Sequence, residues 1–255
     1  MTKREFIGQC RLCLEQKTLV DSHIIPNFHY KPLKEREGFF YNLSTNSSQP
    51  EKKEQKGLTE RLLCLQCDTV RLQKNEEHLA RVIFGGYRIE GATNGRFHKF
   101  KGFDYRKVKN ALLSILWRMS ISSHAFFQDV ELGNKHEERI RKVIFEDEIL
   151  SDDEYPITLT APIYEDKLLG DLILQPDFAR VGGNRIYRCV MSGLLFTFFV
   201  GSAEIDKITK NFALKADGSW LIAQAKIEEI PFLHQAFVAF AKREKAATWP
   251  KNFNR

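Results

Sequence analysis

The sequence predicts an α+β protein, and three observations carry that prediction. Two Cys-x-x-Cys pairs, Cys10/Cys13 and Cys64/Cys67, bracket a β-branched run, and the second pair leads into a helical pattern. Apolar residues recur at helical spacing at Val108, Ala111, Leu112, Ile115, Leu116 and Met119, and the period returns over residues 137–145. Beyond the acidic break Ser151-Asp152-Asp153-Glu154 come four β-rich runs and a closing amphipathic helix. With 255 residues, 43% apolar and 28% charged, the chain can bury a substantial core and has the composition of a globular protein. The longest apolar run, residues 193–201, falls far short of the roughly 20 residues a membrane helix needs. The charged start, residues 1–6, lacks the apolar stretch of a signal peptide, so a cytoplasmic address is expected.

In chain order, Cys10-Arg11-Leu12-Cys13 reads as a knuckle. Residues 18–25 read as a strand that stops at Pro26, whose ring removes a backbone donor. Residues 43–57 turn to Ser, Asn, Gln, Lys and Glu around Pro50, the composition of a solvated, mobile loop. Residues 59–84 read as a second knuckle running into a helix that stops at Gly85-Gly86. Residues 87–103 are glycine-dotted and predict no clear element. Residues 105–149 read as helical, residues 157–163, 185–191, 194–200 and 220–226 as strands, and residues 231–245 as a helix.

Cysteine usage points to a metal. Four of the five cysteines are paired and Cys189 stands alone, and in a reducing compartment that pattern favours coordination over a disulfide. Each two-residue spacer forms a tight turn that aims two sulfurs at one point, so the two pairs can wrap one tetrahedral Zn²⁺. Four thiolates leave no open position, which makes that zinc structural. The 50 residues between Cys13 and Cys64 exceed the spacing of a compact finger, so the metal clamps a larger unit. The net charge of +6 is uneven: residues 1–109 hold 21 Lys/Arg against 13 Asp/Glu, and residues 110–255 hold 18 against 20. The surplus at the cysteine end suits a polyanionic partner and is equally compatible with an ordinary soluble surface.

A knuckle, a strand carrying Asp21-Ser22-His23-Ile24-Ile25-Pro26, and then Leu62-Leu63-Cys64-Leu65-Gln66-Cys67 opening a helix together resemble the zinc-containing, four-cysteine branch of the HNH (ββα-metal) endonucleases. The resemblance covers residues 8–84 and rests on the order of the motifs. It implies a β-hairpin and helix around one divalent cation, Mg²⁺ or Mn²⁺, with DNA as substrate. By position, the resemblance makes His23 the general base on water and Asp68, just after Cys67, a ligand of the catalytic cation. The sequence departs from the family in two places: Ser22 stands where an Asp or His ligand is common, and Thr59 where an orienting Asn is common. Those departures leave open that Asp21 serves instead, or that the chain is a catalytically inactive zinc-containing module that binds nucleic acid or protein. The layout also implies a role in bacterial defence against phage.

Helix geometry adds to this. At about 100° per residue, Asp68 and Glu76 border the apolar arc formed by Leu72, Leu79 and Ile83, so both carboxylates face inward. A buried carboxylate needs a partner, and for Glu76 the choices are the catalytic cation or an arginine such as Arg61. Asp68 also suits a helix start through capping and the dipole. Arg71, Lys74, His78 and Arg81 form a stripe on the other side, which reads either as a nucleic-acid contact along the phosphate backbone or as a solvated face. The expected organisation is a zinc-clamped nuclease domain over 1–104, a helical connector over 105–150, and an α+β domain over 151–255. The last has its own core and a role in partner binding or regulation; with 13 basic and 13 acidic residues it is expected to act through protein contacts.

Overall fold

The computed structural model describes residues 5–34, 38–42, 52–85, 89–91 and 95–244. Strands β1 (Ile7–Gln9) and β2 (Gln16–His23) form a hairpin around the first knuckle. A 3-10 turn, Asn27–Tyr30, follows, and β3 (Phe40–Asn42) pairs with β4 (Lys52–Glu54) as a separate ribbon. Strand β5 (Thr59–Cys64) lies antiparallel to β2, giving a three-stranded sheet in the order β1-β2-β5. From its end a π-helical segment, Gln66–Leu72, continues into α1 (Gln73–Ile83), and the chain leaves through Gly85 at φ 94°. Residues 43–51 of the expected loop lie outside the described residues, and β4 occupies part of the remainder.

The rest of the chain builds one larger sheet on a pair of helices. After β6 (Ile89–Gly91) and β7 (Phe97–Lys101) come α2 (Tyr105–Ile121) and α3 (Asn134–Glu146), then β8 (Ile157–Tyr164), β9 (Lys167–Leu168), β10 (Asp177–Val181), β11 (Asn184–Met191) and β12 (Leu194–Val200). A short α4 (Lys207–Phe212), β13 (Ser219–Lys226) and α5 (Pro231–Glu244) complete it. The sheet runs β10-β11-β12-β8-β13-β7-β6 with β9 on β8, and β8 and β13 are its parallel pair. Local chemistry fixes the joints: Asp104 caps α2 by accepting from the Lys107 amide at 3.1 Å, and Gly182-Gly183, at φ 56° and 84°, supply the two-residue turn that a tight β10–β11 hairpin demands.

The expected boundaries do not survive this topology. Strand β7 lies inside the stretch assigned to 1–104, yet it pairs with β13 in the larger sheet, from Phe97↔Ala223 to Lys101↔Ser219. The 105–150 segment is helical as expected, but it is a hub rather than a connector. Helix α2 is buried on nearly every side, and one continuous apolar core runs from Cys10 through Leu63, Leu116 and Phe196 to Ile222. A helix buried almost all round belongs between layers, which is where α2 lies, packed on α1 and α3 and with Met119 against Cys189 of β11. No helix among the described residues is long and apolar enough to cross a membrane.

Candidate metal centre and the histidine beside it

The first knuckle hangs on the β1–β2 hairpin. The Leu14 amide donates to the Cys10 carbonyl at 2.8 Å, and Leu14 itself is left-handed at φ 64°, which turns the chain back into β2. The second knuckle joins β5 to the helix. The two are stitched together by the Arg11 amide donating to the Leu62 carbonyl at 2.9 Å and the Cys64 amide donating to Cys10 Sγ at 3.3 Å. From α3, Arg141 reaches over to donate to the Leu12 carbonyl at 2.7 Å.

As a result, the sulfurs of Cys10, Cys13, Cys64 and Cys67 all lie within 4.8 Å of one another, with three of the four residues buried. A tetrahedral zinc with Zn–S near 2.3 Å spaces its sulfurs by about 3.8 Å, so this donor set is compatible with a structural zinc. Electrostatics point the same way. A hydrogen bond from the Cys67 thiol, helped by backbone amides, pushes the Cys10 thiol down to about 4, and the same contact with burial pushes Cys67 up. Thiols this crowded hold one negative charge at their neighbours' expense, whereas a divalent cation stabilises all four as thiolates. Among the described residues this is the one group of three or more His, Cys, Asp or Glu side chains close enough to share an ion.

His23 ends β2, opposite Thr59 on β5. The register slips between Val20 and Ser22, where Arg61 and Leu62 of β5 together face Asp21. Asp21 is exposed and pairs with Arg61 at 3.2 Å, while Ser22 is fully buried and its hydroxyl has no partner. The Ser22 side chain thus faces the interior. The half-buried imidazole of His23 has its pKa lowered, chiefly by burial; Asp68 opposes the shift and Arg118, Lys34 and Lys56 add to it.

Glu76 is inside, as helix geometry predicts, but its partner is Arg118 of α2 and not Arg61. Arg118 Nη2 donates to Glu76 Oε1 at 2.5 Å, and its Nη1 donates to the His23 carbonyl at 2.6 Å. Burial pushes the Glu76 carboxyl up, and the guanidinium pulls it back. Asp68, half-buried at the helix start, acts electrostatically on both His23 and Glu76, so the four side chains form one neighbourhood.

The basic stripe is largely absorbed by the fold. Arg71 donates to the Phe145 carbonyl and lies over the Phe145 ring at 4.4 Å, Lys74 pairs with Asp147 at 3.2 Å, and the Asp104 amide donates to His78 Nε2 at 3.0 Å. Arg81 is exposed. Two of these partners lie at the C-terminal end of α3, where carbonyls and the dipole favour cations. Part of the reason lies in the π-helical turn, whose i→i+5 bonding shifts the phase of everything after Asp68 away from a uniform α-helical count.

Sequence reasoning overlooked Arg118, Lys34 and Lys56 as neighbours of His23. For Arg118 a signal existed: a charge in the apolar second half of α2, among Leu113, Ile115, Leu116, Trp117 and Met119, must meet a carboxylate. The lysines are near through tertiary folding and carry no local pattern. No protein-family model matches the chain, and neither the curated proteins nor the solved structures contain a significant match.

Proposed function

We propose that the chain is a metal-dependent endonuclease of the HNH type that hydrolyses DNA phosphodiester bonds, with His23 as general base. The observation that carries this reading is the arrangement around His23. A histidine at the end of a strand sits beside a carboxylate at the start of the following helix, with two lysines and an arginine within electrostatic reach. Burial lowers its pKa, so the imidazole is neutral at physiological pH and able to take a proton from water. The cations suit a phosphate substrate. Asp68 is the carboxylate that would hold Mg²⁺ or Mn²⁺, since a hard cation of this kind is commonly bound by one or two carboxylates together with substrate phosphate oxygens. That cation would supply charge stabilisation at the scissile phosphate. Arg118 fixes the backbone of His23 and keeps Glu76 engaged, which leaves Asp68 as the available acid.

Plasmid nicking with Mg²⁺ or Mn²⁺, with and without EDTA, tests this. The native chain should nick only with the metal, and His23→Ala and Asp68→Ala should each lower the rate by about 100-fold or more while leaving the melting temperature within a few degrees. Nicking by His23→Ala at the native rate overturns the assignment. The second reading, a module that binds nucleic acid or protein without cutting, is favoured by the inward-facing Ser22, by Thr59 opposite His23 and by the pairing of Glu76 with Arg118. It predicts DNA retention in a mobility-shift assay with no metal-dependent nicking.

A further inference from the structure

A cleft of about 710 Å³ opens between α3 and the end of the larger sheet formed by β10, β11 and the close of β12. Its size falls in the usual range for small-molecule sites, roughly 300–1,000 Å³. It shares no residue with the cysteine cluster or the surroundings of His23.

Its charge is lopsided in a particular way. Arg180 and Arg185 are directly opposite each other across the β10–β11 pair, so their side chains leave the same face of the sheet. Like charges in that position repel and destabilise the pair. Across the cleft, Lys135 and Lys142 come from α3. Both carboxylates that line the cleft are already engaged: Glu154 accepts from Arg139 at 2.8 Å and Glu138 from Arg141 at 2.7 Å. Arg185 donates to the Glu131 carbonyl at 2.8 Å, and Arg180 lies 5.8 Å from the Phe178 ring; among the described residues no ion pair neutralises either arginine, or Lys135. The floor is apolar, made by the buried Leu132, Tyr155 and Val200, with the Tyr155 hydroxyl bonded to His136 Nδ1 at 3.0 Å.

We infer that this cleft binds a small phosphate ester carrying a ring, of the nucleotide class, with the phosphate between Arg180, Arg185 and Lys135 and the organic part against Tyr155, Val200 and Leu132. Two adjacent guanidiniums offer paired N–H donors that match phosphate oxygens, and the anion offsets the repulsion the empty sheet must carry. The inference stands independently of the nuclease reading.

The test uses the full chain with three probes: ADP, inorganic pyrophosphate and a short random-sequence duplex. ADP should bind saturably in calorimetry and raise the melting temperature, with pyrophosphate weaker because it lacks the ring. Arg180→Glu and Lys135→Glu, both at exposed positions, should each weaken ADP by about tenfold. Arg180→Thr should melt no lower than the native chain without ligand, since it removes a like-charge contact, yet lose the ADP-induced rise. The inference fails if neither ADP nor pyrophosphate binds saturably, if Arg180→Glu binds ADP as the native chain does, or if the duplex binds through Arg180 and ADP cannot displace it.

Discussion

Two regions of this molecule hold a sheet together by different means. The three-stranded sheet is small: β1 has three residues, and the buried groups around it include Cys10, Cys64 and Cys67 themselves. The larger sheet buries Tyr187, Phe196, Phe198 and Trp220, and there the fifth cysteine, Cys189, is ordinary filling, its sulfur 3.8 Å from that of Met119. One residue type thus forms a metal-compatible cluster in one place and packing in the other. Burial alone does not tell them apart; the paired spacing and the convergence of four sulfurs do. A short sheet that cannot bury enough apolar surface needs a clamp, and a sheet with large rings does not.

Breaking each cysteine separates the two cases, and this is the largest effect expected. Cys64→Ser removes one of the four converging thiols and, with a structural zinc held by them, should destabilise the chain by roughly 5 kcal/mol or more, because the binding free energy of such a metal is folding free energy. Cys189→Ala should cost about 1–2 kcal/mol, the scale of a small core truncation. Urea unfolding with zinc content by elemental analysis measures both. The sequence alone suggests that the first variant leaves residues 151–255 folded. The continuous core and the β7–β13 pairing predict one shared transition instead. Two well-separated transitions would show that the regions are independent after all.

What was legible in the sequence divides along the same line. The sequence pattern located β8, β11, β12, β13 and α5 nearly to the residue: β8 alternates between core and surface, while β11 and β12 are near-continuous apolar runs buried on both faces. The cysteine pairs foretold their own convergence through spacing. Strand β10 and β7 were missed: their residues are mostly half-exposed, and β7 is called into the sheet by β13, more than 100 residues away. β2 ends at His23 and not at Ile25, with one further bond, from the Ile24 amide to the Leu58 carbonyl at 3.0 Å, before Pro26. At the candidate site, the burial of Glu76 was readable from the helix face, but the identity of its partner was not, since Arg118 arrives from another helix.

Helix α2 stands between the two regions and offers a buried cation to each, which sharpens the comparison. Arg118 faces the cysteine side and meets a carboxylate. Its replacement by Met leaves Glu76 buried without a partner, a loss of about 3–5 kcal/mol. The pH dependence carries the sign. Without Arg118 the folded state holds the Glu76 proton more tightly than the unfolded chain does, so the variant's deficit should shrink below about pH 5 and grow as pH rises towards 8. Adding Glu76→Gln should recover much of the loss and flatten the pH trend. Urea midpoints at pH 5 and pH 8 decide this; a deficit independent of pH would mean that the arginine matters for packing alone.

Lys109, about two and a half turns earlier on α2 and so facing the other way, has no carboxylate in contact among the described residues. Its ammonium is fully buried and donates to the Tyr155 carbonyl at 2.6 Å; burial pulls its pKa down to about 7, with Asp152, Glu154 and Asp153 opposing from a distance. Between pH 7 and the ordinary lysine range the unfolded chain binds a proton that the folded chain has given up, so this group's contribution to stability rises with pH over that window. At about 1.4 kcal/mol per pH unit over a window of about three units, the rise should be on the order of 4 kcal/mol, comparable with the effect of Arg118. Lys109→Met removes the titrating group while keeping a flexible side chain of similar length. It should therefore stabilise the protein near pH 7, and its advantage should fade as pH approaches about 10.4, where the unfolded chain also begins to give up the lysine proton. Comparing urea midpoints of the two proteins across that range isolates the lysine from every other group that titrates there. If the difference stays constant with pH, Lys109 remains charged inside the fold, and the side of α2 facing the larger sheet would then hold its cation by the acidic break alone.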